Sequence, residues 1–179
     1  MKRLILMTAV LLLTGCGPAF VPYDFEIPGG LETEQFRIRP ITAVDAEKDY
    51  EAVMESISLI HQALLHDGWP TPEFTLEENR SDLEAKERRF ARRKNFTYTV
   101  VTPDESRVLG CIYINPGING PDAAVFLWVR QSAFDQGLDP LLEQAVREWI
   151  DDQWPFQWVV YPGRPGPYGG TAPPERRTS

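Results

Sequence analysis

Cys16, Cys111, His61 and His66 are the only thiols and imidazoles in the sequence. So small a stock, so widely spaced, gives no expectation of a four-ligand zinc site. His61 and His66 stand five apart around one helix end, with no nucleophile or acid nearby in sequence to complete a Ser/His/Asp relay. Cys111 lies in an apolar run, where a thiol reads as a small buried hydrophobe more readily than as a nucleophile. The densest charged cluster is Lys86, Arg88, Arg89, Arg92, Arg93 and Lys94. It reads as a solvated helix end helped by the C-terminal dipole. Contact with anionic headgroups or cell-wall polymers is its functional alternative. The whole chain carries a formal charge of −8, which argues against nucleic-acid binding, since that needs a basic surface to displace counterions.

The N-terminus carries a different chemistry. Lys2 and Arg3 precede a ten-residue apolar run, residues 4–13, interrupted only by Thr8. That run is too short to span a bilayer as a helix. It ends in Leu13-Thr14-Gly15-Cys16, which resembles the lipobox of bacterial lipoproteins. The resemblance implies a signal peptide over residues 1–15, cleavage before Cys16, and acyl chains on its sulfur and new amino group. Loss of Lys2 and Arg3 takes the formal charge from −8 to −10. Each buried CH₂ of an acyl chain contributes about 0.8 kcal/mol, so several chains hold a protein at a membrane without a spanning helix. The expected location is the bacterial cell envelope, lipid-anchored on the periplasmic or extracellular face. Cys111 is then the one remaining thiol, and no intramolecular disulfide forms.

Three segments position these groups. Residues 16–35 contain Pro18, Pro22, Pro28, Gly29 and Gly30 and read as a tether behind the lipidated Cys. Residues 162–179 hold five Pro and four Gly and read as a disordered tail. Between them, 36–161 is long enough for one α/β domain with a core of its own. Its opening run, Phe36-Arg37-Ile38-Arg39-Pro40, alternates as a half-buried strand does. Thr42, with Asp45 three residues on, caps a helix whose apolar face is Tyr50, Val53, Met54, Ile57, Ile60 and Leu64. Asp67-Gly68-Trp69-Pro70 ends it. Thr75-Leu76-Glu77-Glu78 is a cleaner capping box for a charged helix reaching Lys94, with a thin stripe of Leu76, Leu83 and Phe90.

Strands are expected over 97–101 and 108–114, joined by a hairpin turn, and over the continuously apolar 123–129. Asp139-Pro140 opens a last helix, and 156–161 closes the domain as a strand. Most of Trp128, Trp149, Trp154 and Trp158 belong in the core. The order is β-α-α-β-β-β-α-β, a single domain with a mixed twisted sheet flanked by helices.

That order, together with Phe36-Arg37-Ile38-Arg39-Pro40, Val108-Leu109-Gly110-Cys111-Ile112-Tyr113-Ile114 and the stretch 129–142, resembles the GNAT (Gcn5-related N-acetyltransferase) family. The likeness covers 36–161, and the family's last two strands have no counterpart before the Pro/Gly tail. In the family a strand ending in Val runs into a loop, Gln/Arg-x-x-Gly-x-Gly/Ala, that binds the acetyl-CoA pyrophosphate with backbone N–H groups at a helix N-terminus. The resemblance places the cofactor-binding loop at Val129, Phe134, Gly137, Leu138 and Asp139. Phe134 stands at the Gln/Arg position and Asp139 at the final Gly/Ala, so only Gly137 is retained. The Asp139 carboxylate is expected to cap its helix and to meet the phosphates with like charge. Acetyl transfer also needs a base and a proton donor for the leaving thiolate. Glu77 and Glu78 are candidate bases, and Tyr113 and Tyr161 candidate catalytic donors.

Two functions follow from the resemblance. One is acetyl transfer from acetyl-CoA to a small amine or peptide by a lipid-anchored enzyme, with no metal. The other is a non-catalytic envelope lipoprotein that binds a ligand or partner through the same fold. For the anchor itself, Cys16→Ser should abolish incorporation of labelled palmitate and leave an uncleaved precursor. Unchanged labelling and membrane fractionation would refute it.

Overall fold

A computed structural model describes residues 19–165, so the lipobox-like motif, Cys16 and residues 166–179 lie outside the described part. Six strands form one sheet in the order β1 (Leu31–Glu32), β2 (Arg37–Pro40), β3 (Phe96–Val101), β4 (Val108–Pro116), β5 (Ala123–Val129) and β6 (Val159–Val160). Neighbours are antiparallel except β5 and β6, which run parallel. The strict alternation of each strand sends its side chains to two faces. One face carries Ile38, Tyr98, Ile112, Val125 and Leu127 under α5 (Leu138–Gln153). The other carries Val101, Cys111 and Trp128 under α1 (Ala46–Glu55) and α2 (Ile57–Leu64). The charged helix α3 (Leu76–Ala91) packs beside α1 and β3.

The expected capping box at α3 is present in both directions: Glu78 N donates to Thr75 Oγ1 at 3.2 Å, and Thr75 N donates to Glu78 Oε2 at 2.8 Å. The single helix expected after Thr42 is instead a 3₁₀ turn, Ala43–Asp45, followed by two helices that break at Ser56. Tertiary bonding outweighs periodicity at that point. Ser56 is buried and its Oγ accepts from Gln131 N at 2.9 Å. The neighbouring Glu55 accepts from the Arg130 guanidinium and, at 2.7 Å, from Ser132 N. The break turns both residues towards the end of β5. The closing strand is also shorter than expected, two residues rather than six.

Residues 19–35, expected as a tether, lie against the sheet. Phe20 stacks on Phe96 and Phe156 at 5.8 and 5.1 Å, and its N–H donates to Arg93 O at 2.8 Å. Val21 is buried, Phe25 meets Trp154 at 5.9 Å, and β1 pairs with β2. The apolar residues between the prolines, rather than the prolines, decide this. Arg93, read as part of a basic surface, donates to the Pro22 and Phe25 carbonyls at 2.7 and 2.9 Å. It thereby fastens this segment. Phe20→Ala should cost about 2 kcal/mol in urea unfolding, below the roughly 3–5 of a fully buried Phe because Phe20 is only partly buried. A tether residue would cost about 0.5 kcal/mol or less.

Candidate functional site

Strands β5 and β6 are paired only at Ala123–Val159 and Ala124–Val160. Beyond Ala124 the two chain segments separate, and a cavity of about 210 Å³ opens among α2, the end of β5, the first turn of α5 and the chain after β6. Val129 is buried at its floor, and Phe134, 43% exposed, stands at its mouth. Phe134 ends a short helix, α4 (Gln131–Phe134), that precedes α5. Gly137 holds φ at +83° and is the residue before α5. A side chain would be strained there, although the space beside it is open. Leu138 packs on the core.

Asp139 sits in the first turn of α5 but does not cap it; the residue at the cap is Gly137, which has no side chain to bond. The carboxylate instead forms a two-pronged pair with Arg164, Nη1 to Oδ2 at 2.5 Å and Nη2 to Oδ1 at 2.7 Å. The same guanidinium reaches Glu143 Oε2 at 3.1 Å and donates to the Leu127 carbonyl of β5 at 3.0 Å. Burial opposes the Arg164 charge, but Asp139 and Glu143 outweigh it and hold its pKa above the ordinary value. Arg164 was expected in a disordered tail. A single Arg between Gly163 and Pro165 carries no periodicity, so no local signal marks it.

The candidate donors are not brought together. Tyr113 lies on the α1–α2 face, where its hydroxyl accepts from Trp128 Nε1 at 3.1 Å. Tyr161 is buried on the α5 face under the Arg147 guanidinium, 3.8 Å from the ring. Burial pushes the Tyr113 hydroxyl well up and that of Tyr161 to about 12. Neither lines the β5–α5 cavity. Glu77 and Glu78 are both exposed, and Glu78 is held in the capping box. His61 meets the Pro70 carbonyl at 2.9 Å, and His66 accepts from Gly68 N at 3.2 Å.

A second cavity, about 370 Å³, lies on the α1–α2 face between the end of α2, α3 and strands β4 and β5. Leu64, Trp69 and Phe126 form apolar walls; Tyr113, Asn115, His66, Asp82 and Lys86 supply polar groups. Lys86 pairs with Asp82, and its ammonium lies 5.4 Å from the Trp69 ring centre and 5.7 Å from that of Tyr113. The basic cluster is thus divided: Lys86 faces this cavity while Arg88 pairs with Glu84 on the surface. Behind it lies a buried polar knot. Asp49 accepts from Asn79 Nδ2 at 3.0 Å and from the Cys111 thiol at 3.5 Å. Burial and the Asp49 charge push that thiol well up, which makes Cys111 a poor nucleophile.

No family model matches the chain, and no curated protein matches it in sequence. Solved structures do. A Vibrio cholerae protein assigned as a ribosomal-protein-serine acetyltransferase superposes with TM-score 0.59 at 18% identity, over 76% of this chain and 72% of that one. A GNAT-family acetyltransferase from Bacillus anthracis gives 0.53 at 18%, over 73% and 70%. The microcin C7 self-immunity acetyltransferase MccE, in complex with acetyl-CoA and AMP, gives 0.53 at 14%, over 70% and 68%. The chain has the GNAT acetyltransferase fold. Val129, Phe134 and Asp139, expected in the acetyl-CoA loop, all line the β5–α5 cavity. Phe134 offers no donor, Pro140 has no N–H, and the Asp139 carboxylate is taken up by Arg164. Among the described residues no cluster of His, Cys, Asp or Glu is placed to hold a metal ion.

The buried knot has a measurable signature. Burial raises the Asp49 carboxyl from 3.8 to about 6, more than the Asn79 and Cys111 bonds lower it. Its folded pKa therefore exceeds its unfolded one. The stability it lends is complete below the unfolded value and is lost as pH rises through about 6. A shift of about two units corresponds to roughly 3 kcal/mol. Glu55, held down to about 2 chiefly by Arg130, works oppositely and only in acid. Urea unfolding between pH 4 and pH 8 should show wild type losing stability that Asp49→Asn retains. Parallel pH profiles for the two proteins would contradict this account.

Proposed function

We propose that this chain is a GNAT-fold binding protein of the bacterial envelope that does not use acetyl-CoA. The observation that carries the reading is the Arg164 guanidinium, seated on Asp139 where the fold's cofactor loop would need an empty, electropositive helix end. Ligand capture is assigned to the second cavity, whose apolar walls and single Asp82–Lys86 pair suit a small, mostly apolar molecule. A cationic amine acceptor would meet the Lys86 ammonium already lying over the Trp69 and Tyr113 rings. The lipid anchor is part of the same proposal and is supported by Lys2, Arg3, the short apolar run and Leu13-Thr14-Gly15-Cys16. Among the described residues no helix is long and apolar enough to cross a membrane. Attachment in this reading comes from acyl chains on Cys16.

Acetyl transfer to a small amine or peptide is the second reading. It draws on the fold shared with acetyltransferases and on Gly137, whose open, positive-φ backbone leaves room for a close ligand. Calorimetry separates the two. Titration of CoA or acetyl-CoA into the protein should give no saturable heat up to about 1 mM, an affinity of only about −4 kcal/mol. Tighter binding, with acetyl transfer to any amine, would replace the binding-protein reading with the enzymatic one.

A further inference from the structure

Arg164 sits in a site built for its own chemistry. Asp139 takes two parallel N–H bonds, Glu143 takes a third contact, and the Leu127 carbonyl takes a fourth. These acceptors match the planar fork of a guanidinium, which an ammonium cannot reproduce. Charge is balanced within the group. Arg147 binds the other Glu143 oxygen at 2.9 Å and donates to Pro165 O at 3.3 Å, so two guanidinium ions face two carboxylates. The Asp139 and Glu143 side chains are 18% and 16% exposed and that of Arg164 14%, so the contact is largely withdrawn from water and salt. Without Arg164 the site would carry one uncompensated, half-buried negative charge. Such a site repels phosphate and attracts a guanidinium.

We propose that the β5–α5 cleft of this chain is a guanidinium-binding site, and that Arg164 occupies it in cis as a latch on the segment following β6. The inference rests on the reading that the cleft does not accept CoA. The occupant closes the cavity from the β6 side, since Gly163, Arg164 and Pro165 form that wall. Gly163 makes the approach with φ at +78°, passing beside Leu65 at the end of α2. The ligand class is therefore an alkylguanidinium, the arginine side chain, held at the end of β5.

Chemical rescue tests the latch. Arg164→Ala in the full chain should lower Tm by roughly 5 °C. Millimolar methylguanidinium should restore much of that shift, while methylammonium at equal concentration should not. Wild type, already occupied, should gain nothing from either. Arg164→Lys, which keeps a cation without the fork, serves if the Ala variant does not fold, and should respond in the same order. Addition of Asp139→Asn should abolish the rescue. Equal rescue by both ions, or by neither, would overturn the guanidinium assignment. CoA is titrated into the same proteins. Binding by wild type would refute the reading that the cleft does not accept CoA, whereas binding gained by Arg164→Ala alone would show that the emptied cleft takes a phosphate and would overturn the guanidinium assignment.

Discussion

The pairing of β5 with β6 stops after two residues, and the rest of the site follows from that. A parallel partner running the whole length of β5 would satisfy its backbone groups and leave no cleft. Because β6 ends at Val160, the Leu127 carbonyl needs another donor, and buried backbone groups are rarely left without one. Arg164 supplies it. The same guanidinium then draws in Asp139 and Glu143, so one backbone vacancy organises the first two turns of α5 and the chain leaving the domain.

A second clasp holds the residues that follow β5. Arg130, only 7% exposed, binds Glu55 and donates to the Val108 carbonyl at 3.1 Å. With Ser56 on Gln131 N, it joins the break between α1 and α2 to the loop after β5. A buried ion pair of this kind repays its desolvation only when its remaining donors are used. Here the Arg130 donors go to Glu55 and the Val108 carbonyl, and the other Glu55 oxygen accepts from Ser132 N. The end of β5 is thus tied by two guanidinium ions, Arg130 to the break between α1 and α2 and Arg164 to α5. In this chain that corner of the fold is internally neutralised by the Asp139–Arg164 and Glu55–Arg130 pairs.

The second cavity contrasts with it. None of the described residues closes the space between Trp69 and Phe126, and the Asp82–Lys86 pair leans over aromatic faces rather than sealing the opening. The buried Asp49, Asn79 and Cys111 behind it form a polar knot inside an otherwise apolar layer. That arrangement favours a unique seating of α1 and α3 against β4 and makes this half of the domain sensitive to pH.

By itself the sequence determined the elements whose signals are local. The Thr75–Glu78 box, the alternation at 36–40, the apolar run 123–129 and the helical stripe from Leu142 to Ile150 all lie where short-range rules put them. Their order sufficed for the fold class. The N-terminal motif is likewise a matter of local spacing and lies beyond the described residues. Tertiary structure alone decided the break at Ser56, the docking of Phe20 and Val21, and the partner of Asp139. Each of these depends on residues distant in sequence: Glu55 on Arg130, Phe20 on Phe156, and Asp139 on Arg164. Helix periodicity and proline content report the cost of ordering a segment. They carry no record of which far-off donor or ring repays it.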